Sequence, residues 1–416
     1  MCIRDSNLIT QCRICASKEL TSLMLLEDQA LTGVFPKSLS EKITAGPVEL
    51  VKCTAQDGCG LVQLRQSYDL AEMYGMNYGY RSGLNSSMVA HLHSKVAKIL
   101  ALNILKPNDL IIDIGSNDAT TLRAYPQDQY QLVGIDPTGV KFVEYYPENI
   151  GLIPEFFSAG AVAKALDGKK AKVITSFSMF YDLEDPIAFA KEIEGALADN
   201  GIWVFEQSYL PAMIRTNSFD TICHEHLEFY ALKQIMWIAK AAGLKVLDVE
   251  FNDVNGGSFS ITAAKQSSTL QPNTDKLNQI LADESAMGLD TTEAFESFQA
   301  RVEEARSALM NFLKEAKASG KRVCGLGAST KGNVLLQYYG IDSNLVESIG
   351  EVNSDKFGSF TPGTLIPLVS ETELLKSNPD YFLVLPWHFR AFFESLPAMK
   401  GRTLVYPLPT FEIVTL

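Results

Sequence analysis

The chain has 416 residues, too many for one ordinary hydrophobic core, and this length indicates two or three domains. Its net charge of −13 is not offset by any basic stripe, which argues against nucleic acid as a partner. No apolar run approaches the roughly 20 residues of a membrane helix, and no signal peptide is recognisable, so we expect a cytoplasmic protein away from membranes. Residues 1–6 share no pattern with the segment that follows, so we interpret them as an artefact and leave them out of the fold prediction.

Four cysteines form two pairs near the N-terminus. Cys12 and Cys15 have the common C-x-x-C spacing of a metal-binding turn, whereas five residues separate Cys53 from Cys59. In a cytosolic chain, paired cysteines indicate a metal more often than a disulfide. The spacing favours a structural zinc, which four thiolates would enclose without an open position for chemistry. The alternative is four reduced cysteines in a small subdomain.

The middle of the chain has the pattern of a nucleotide-type α/β domain. A helix predicted over 86–105 precedes an apolar strand at 109–114, and this strand enters a turn at Gly115. The next strand, 131–135, ends at Asp136, where such domains hold ribose hydroxyls. Further strands predicted at 172–176, 202–207 and 245–251 alternate with helices, which predicts a parallel doubly wound sheet. Asn117 replaces the second glycine of the dinucleotide fingerprint, so the turn favours a cofactor without phosphates, namely S-adenosylmethionine.

A second α/β unit follows a polar, helix-prone connector at 275–318. Its strands are predicted at 322–326, 346–349, 381–385 and 403–406, and residues 325–333 read G-L-G-A-S-T-K-G-N. A glycine turn, a helix N-terminus and Lys331 together suit a phosphate or pyrophosphate. The alternative is a plain strand–helix turn with a surface lysine.

The segment T-I-C-H-E-H-L-E-F-Y, residues 221–230, holds two of the five histidines of the chain. His224 and His226 flank Glu225, which supplies an imidazole that titrates near neutral pH and a carboxylate that can orient it. This pattern predicts a proton-transfer site. The alternative is a structural hydrogen-bonding cluster on a loop.

Taken together and in order, these motifs resemble the sugar-nucleotide C-methyltransferases, which methylate a carbon of an NDP-4-keto-deoxysugar. The matching strings are C-R-I-C (12–15), C-G-L-V-Q-L (59–64), Y-G-Y-R-S (78–82), D-I-G-S-N-D (113–118), G-I-D-P (134–137), H-E-H (224–226), N-G-G-S (255–258), G-A-S-T-K-G-N (327–333) and T-P-G-T (361–364). The resemblance covers nearly the whole chain.

The resemblance implies an α/β fold of three parts: a small zinc-binding domain over 7–75, a Rossmann-like class I methyltransferase domain over 76–270, and a second Rossmann-like domain over 271–416 that binds the sugar nucleotide. It implies zinc at Cys12, Cys15, Cys53 and Cys59, and S-adenosylmethionine near Gly115, Ser116, Asn117, Asp118, Asp136 and Pro137. The substrate candidates are Tyr78, Ser82, Ser178, Asp182, Ser329, Lys331, Asn333 and Glu351.

The catalytic candidates implied by the resemblance are His226 as the base, with Glu225, His224 and Tyr80. His226 would remove a proton next to the ketone, Glu225 would assist it or bind a sugar hydroxyl, and His224 would orient it or simply pack as a polar residue. Tyr80 or Tyr78 would donate to the enolate oxygen. With an ordinary imidazole pKa of about 6.5, activity is expected to fall below about pH 6.

Four positions depart from the family pattern. Cys223 replaces a tyrosine before H-E-H, Asp182 replaces a loop histidine, Asn255 replaces the histidine of H-G-G-S, and Ala119 replaces a glycine. Most of these changes are expected near the sugar, so they concern the substrate more than the reaction. The predicted partner is an NDP-sugar, with dTDP-linked sugars as first candidates, bound by a monomer. The alternatives are O- or N-methylation of a sugar, or a non-catalytic sugar-nucleotide-binding protein.

Overall fold

The N-terminal unit is a small β structure. The structure, a computed structural model, describes residues 7–68 and 81–416. The first strands are β1 (Asn7–Leu8), β2 (Leu20–Ala30), β3 (Ala45–Cys53), β4 (Val62–Leu64) and β5 (Gln66–Ser67). Strands β2, β3 and β4 pair antiparallel, and β1 pairs with β5. Cys53 is the last residue of β3, and the other three clustered cysteines lie in the turns around these strands.

The central unit is an open sheet with helices on both faces. Its elements are α1 (Ser86–Ala101), β6 (Leu110–Ile114), α2 (Thr120–Arg123), β7 (Gln131–Ile135), β8 (Ile150–Ile153), α3 (Ala159–Ala165), β9 (Ala171–Phe177), α4 (Pro186–Ala196), β10 (Leu197–Ser208), α5 (Leu210–Arg215), β11 (Glu228–Phe229), α6 (Leu232–Ala241), β12 (Leu244–Asn252) and β13 (Ser258–Lys265). The strand order is β12-β13-β10-β9-β6-β7-β8, with only β13 antiparallel to its neighbours. All five residues of β6 are buried, as expected for a parallel strand covered on both faces. The predicted doubly wound sheet is confirmed.

Strand β11 does not join this central sheet. It pairs antiparallel with β4, so that Glu228 lies opposite Gln63 and Phe229 opposite Val62. The N–H of Leu64 also donates to the carbonyl of Leu227 at 2.8 Å. The segment just after H-E-H is therefore anchored in the N-terminal unit, although it belongs to the central domain in sequence.

The C-terminal unit follows two connector helices. Its elements are α7 (Thr274–Ala286), α8 (Glu293–Ala318), β14 (Val323–Leu326), α9 (Thr330–Tyr339), β15 (Ile349–Glu351), β16 (Leu368–Ser370), α10 (Glu371–Ser377), β17 (Tyr381–Val384), α11 (Arg390–Ser395), β18 (Thr403–Tyr406) and β19 (Glu412–Thr415). The sheet order is β16-β15-β14-β17-β18-β19, parallel except for β19. This confirms a second Rossmann-like α/β domain. Helix α8 buries one stripe at Phe295, Phe298, Val302, Leu309 and Leu313 against the rest of the molecule.

Short 3₁₀ turns connect the elements of these units. They occur at Ser82–Leu84, Gly139–Tyr145, Phe180–Asp182, Phe219–Thr221, Val254–Gly256, Ser354–Lys356, Trp387–Phe389 and Pro397–Met399. Gly139–Tyr145, Phe180–Asp182 and Trp387–Phe389 follow the carboxyl ends of parallel strands, where ligands bind in open α/β sheets, so these three turns are an expected source of binding residues.

Candidate active site

The four clustered cysteines converge on one point. Their sulfur atoms all lie within 4.8 Å of one another. Cys12 Sγ is 3.4 Å from Cys59 Sγ, and Cys15 Sγ is 3.5 Å from Cys53 Sγ. A tetrahedral zinc with bonds of about 2.3 Å to sulfur places sulfurs about 3.8 Å apart, so the cluster fits this ion. Gly58 is required for this packing, because a Cβ there would lie 2.9 Å from Cys53 Sγ.

The glycine turn after β6 presents an open backbone surface. Gly115 has a φ of +68°, and the nearest atom to a Cβ added there would be Met179 Cγ at 3.6 Å. Asp136 at the end of β7 accepts the Asn117 N–H at 2.8 Å and the Thr138 N–H at 2.7 Å. Thr138 Oγ1 also donates to Asp136 Oδ1 at 2.7 Å, so these bonds position Asp136 and leave a lone pair on Oδ2 that can accept a ribose hydroxyl. The turn and the acid therefore suit S-adenosylmethionine.

Other predicted cofactor residues surround the same turn. Ser116 Oγ lies 2.8 Å from Tyr146 Oη, and the Gly83 N–H donates to Asp118 Oδ2 at 3.0 Å. Half-buried Pro137 directly follows Asp136. Ser82, predicted to bind substrate, lies here as well, since its N–H donates to Asn117 Oδ1 at 3.0 Å. The structure thus places Ser82 beside the cofactor turn.

The H-E-H segment is a turn in which the three side chains diverge. The His226 N–H donates to the Cys223 carbonyl at 3.1 Å and closes the turn. His224 is fully buried and packs edge-on against Tyr68, with ring centroids 4.5 Å apart. Burial lowers the pKa of His224, and backbone groups of Gly46 and Gln29 partly oppose this effect. His224 therefore packs against the N-terminal unit rather than beside the His226 imidazole.

Glu225 also points to the N-terminal unit. Thr32 Oγ1 donates to Glu225 Oε2 at 3.2 Å. Burial raises the pKa of the Glu225 carboxyl, and hydrogen bonds partly oppose this effect. Asn333 from the C-terminal unit is 1% exposed and donates from Nδ2 to the Thr32 carbonyl at 2.8 Å. Residues from all three units therefore meet around Thr32.

His226 is arranged as a proton acceptor. Its Nδ1 lies 2.8 Å from the Thr221 carbonyl, which can only accept, so the proton must be on Nδ1. The lone pair is then on Nε2, which has no hydrogen-bond partner within the described residues. Burial lowers the pKa of His226 to about 4, and the positive charge of Lys331 acts in the same direction. His226 is therefore neutral at physiological pH, and its protonation lies well below the expected value of about 6.5.

The turn after β9 borders His226. Tyr181 packs edge-on against the imidazole, with ring centroids 4.4 Å apart, and the Leu227 N–H donates to the Tyr181 carbonyl at 2.8 Å. Asp182 directly follows Tyr181 in the same 3₁₀ turn. Ser178 has a φ of +55°, and its N–H donates to the Glu206 carbonyl at 2.8 Å. The turn that carries Asp182 therefore packs against His226 through Tyr181.

The glycine turn of the C-terminal unit binds a carboxylate of its own chain. Glu351 accepts the Ala328 N–H at 3.1 Å on Oε2 and the Val352 N–H at 2.8 Å on Oε1. Ser329 caps helix α9, because its Oγ accepts the Gly332 N–H at 3.0 Å. Glu351 and Ser329 are therefore both engaged in shaping this turn.

Lys331 reaches away from its own turn into the central unit. Its ammonium donates a hydrogen bond to the Asn255 carbonyl, in the 3₁₀ turn before β13. Burial lowers the pKa of Lys331, whereas the negative charge of Asp220 opposes this shift. Tyr78 and Tyr80, the remaining predicted site residues, lie outside the described residues.

The sequence interpretation overlooked four residues around Lys331. Trp387 Nε1 donates to Asp220 Oδ2 at 2.7 Å, and Ser218 Oγ donates to Asp220 Oδ1 at 2.8 Å. Burial lowers the pKa of His388, which follows Trp387, to about 3, and Lys331 again contributes. The available signal was the position of Trp387 and His388 shortly after the carboxyl end of a parallel strand, β17, in the second sheet.

Three family models match the chain in succession. A zinc binding domain matches residues 12–74, a methyltransferase domain matches 88–249, and a C-methyltransferase C-terminal domain matches 253–409. C-methyltransferase NovU from Streptomyces niveus is 26% identical over 421 residues, which cover 98% of this chain and 97% of that protein. The chain therefore has the three domains of a C-methyltransferase, in this order. It is a methyltransferase that uses S-adenosylmethionine, and its second cofactor is structural zinc at the cysteine cluster.

Solved structures similar to this chain include other methyltransferases. Magnesium protoporphyrin IX methyltransferase from Synechocystis PCC 6803 is 13% identical, with 44% of this chain and 87% of that chain covered and a TM-score of 0.33. The CcbJ methyltransferase from Streptomyces caelestis is 10% identical, with 42% and 89% covered and a TM-score of 0.33. Similarities of this size add nothing about function. In the part of the chain that the structure describes, no helix is long and apolar enough to span a membrane.

Proposed function

We propose that this C-methyltransferase acts on an NDP-4-keto-deoxysugar and that His226 removes the proton next to the ketone. The observation that carries the proposal is the fixed tautomer of His226, whose Nδ1 donates to the Thr221 carbonyl at 2.8 Å and leaves the Nε2 lone pair for the substrate. The sugar-nucleotide motifs and the full-length similarity to a C-methyltransferase support the substrate class. A dTDP-linked sugar and a monomeric enzyme belong to the same proposal.

The chemistry requires a base because a carbon atom becomes nucleophilic only after its proton is removed and the charge is delocalised onto the ketone oxygen. His226 Nε2 takes this proton, and the Thr221 carbonyl holds the ring in place while it becomes an imidazolium. The negative charge that forms on the substrate favours this imidazolium, which offsets the burial that lowers the resting pKa to about 4. Bound S-adenosylmethionine supplies the electrophilic methyl group that the substrate carbon attacks.

The neighbouring side chains have supporting roles in this proposal. Tyr181 fixes the plane of the His226 ring by edge-on contact. Asp182, which follows it and replaces the loop histidine of the family pattern, helps to determine which sugar is accepted. Glu225 acts indirectly, because its hydrogen bond with Thr32 fixes the turn that carries His226.

The test combines product analysis with isotope exchange. Wild-type protein is incubated with S-adenosylmethionine and a series of dTDP- and other NDP-linked 4-keto-deoxysugars, and mass spectrometry detects the gain of one methyl group. His226→Asn should bind both ligands but lose turnover by at least about 100-fold, and exchange of the carbon-bound proton with heavy water should cease. The matched control is His93→Asn, since His93 is exposed on α1.

Three outcomes would contradict the proposal. Methyl transfer to an oxygen or nitrogen, with no solvent exchange at carbon, would show that carbon acidity is not used. Near-normal turnover of His226→Asn would exclude His226 as the base. If the wild-type protein methylates none of the sugar nucleotides, the proposed substrate class is wrong.

A further inference from the structure

Lys331 carries a buried positive charge that no neighbouring carboxylate neutralises at close range. Its ammonium has three N–H donors, and one of them binds the Asn255 carbonyl. None of the ion pairs among residues 7–68 and 81–416 includes Lys331. The nearby carboxylate, Asp220, is already bound by Trp387 Nε1 and Ser218 Oγ. A buried ammonium in this state favours a ligand that brings a negative charge.

The glycine turn beside Lys331 is a poor partner for a phosphate. The Ala328 N–H already donates to the Glu351 carboxylate at 3.1 Å, and Ser329 Oγ already accepts the Gly332 N–H at 3.0 Å. Glu351 also accepts the Asn353 N–H at 3.0 Å. A second anion at this turn would face the Glu351 carboxylate, so the turn and Lys331 do not form one anion site.

The neighbours of Lys331 belong instead to the central unit, around the proposed base. A Cβ added to Gly256 would lie 3.8 Å from Lys331 Nζ and 3.6 Å from Ser218 Oγ. Ser218 begins the loop that continues through Thr221, whose carbonyl orients His226. The electrostatic effect of the Lys331 charge on both His226 and His388 agrees with this placement. Lys331 and His226 therefore face one region between the central and C-terminal units.

We propose that Lys331 is a catalytic residue of the C-methylation, and that its ammonium stabilises the enolate oxygen formed when His226 removes the proton. The inference rests on the proposed function. The C–H bond breaks, its proton goes to His226 Nε2, and its electron pair forms the C=C bond while the π pair of the ketone moves onto the oxygen beside Lys331. The C=C pair then forms the C–C bond to the methyl group, the oxygen pair restores the C=O bond, and the sulfonium sulfur keeps the electrons of the broken C–S bond. Lys331 keeps its proton throughout.

The test uses Lys331→Gln, which removes the charge but keeps a donor for the Asn255 carbonyl. Its substrate is the NDP-4-keto sugar that the wild-type protein methylates. We expect kcat and the rate of proton exchange into heavy water, measured without S-adenosylmethionine, to fall by at least about 100-fold, while KM for the sugar nucleotide changes less than about 3-fold. The acid limb of the pH profile should also move upward, because the charge that disfavours the His226 imidazolium is gone.

The control is Lys400→Gln, since Lys400 is exposed in the C-terminal unit, and it should keep wild-type kcat, KM and exchange. Lys331→Met is the second variant, and S-adenosylmethionine affinity by calorimetry checks that both variants remain folded. A rise of at least about 10-fold in KM with kcat nearly unchanged would assign Lys331 to the pyrophosphate and overturn the inference. Normal proton exchange in both variants would overturn it as well. Absence of methylation by the wild-type protein would instead refute the proposed function.

Discussion

Lowering the pH from about 7.5 to about 5 should leave proton abstraction nearly unchanged, because burial lowers the pKa of His226 to about 4. At pH ~5 an imidazole with this pKa is roughly 90% neutral, whereas one with the ordinary value of about 6.5 is only about 3% neutral. The fraction of active base at this pH therefore differs about 30-fold between the buried and the exposed environment. This factor is large enough to distinguish a buried from an exposed His226 in a profile of rate against pH.

The assay follows kcat/KM and isotope exchange from pH ~8 to pH ~4.5, with circular dichroism at each pH to measure the folded fraction. The expected profile is flat down to about pH 5 and falls toward a midpoint near pH 4. His93→Asn serves as the control, because His93 is exposed and outside the site. A midpoint near pH 6.5 in fully folded protein would show that His226 is solvated, and the argument from its burial would be wrong.

Three further perturbations test other parts of the molecule. Cys12→Ser should lose the zinc and reduce folding and solubility before it affects methyl transfer, because a closed metal site contributes folding free energy. Elemental analysis should find one zinc per wild-type chain, and Cys324→Ser, which changes a cysteine outside the cluster, is the control. Asp136→Ala should weaken S-adenosylmethionine binding by about 10- to 100-fold in calorimetry, because a charged hydrogen bond is worth about 1.5–3 kcal/mol. The control is Asp128→Ala, at an exposed position, which should keep wild-type affinity, whereas unchanged affinity of Asp136→Ala would place the ribose contact elsewhere. Burial lowers the pKa of His224 to about 4, so between about pH 6.5 and pH 4 the unfolded chain binds a proton that the folded chain does not, and the free energy of unfolding decreases as the pH is lowered. In urea unfolding, the decrease in this free energy from pH 7 to pH ~4.5 should be smaller for His224→Phe than for the wild type by about 2 kcal/mol, and equal decreases would contradict the burial of His224.

Local sequence patterns predicted the parallel strands well. The strand expected at 131–135 is Gln131–Ile135 in the structure, and the one expected at 403–406 is Thr403–Tyr406. Strands β8 and β13 were not predicted. The four residues of β8 carry too weak a pattern, and β13 becomes a strand by pairing with β10 and β12. The strand expected at 346–349 lies at Ile349–Glu351 instead. The domain boundaries at residues 75 and 270 stay predictions.

The sequence by itself predicted the four clustered cysteines, the glycine turn after β6 and the H-E-H segment, because each depends on residue types at short, fixed spacings. The sequence alone could not show that the side chains of His224, Glu225 and His226 diverge, because neighbouring side chains in a turn point in different directions. Pairing of β11 with β4 draws the end of this segment into the N-terminal unit and buries its side chains. Lys331 likewise lies in a motif that resembles a phosphate-binding turn, yet its side chain donates a hydrogen bond to the Asn255 carbonyl in the central unit. Such contacts between residues far apart in the chain arise only when the three units pack together, and burial in that packing determines the pKa of His226.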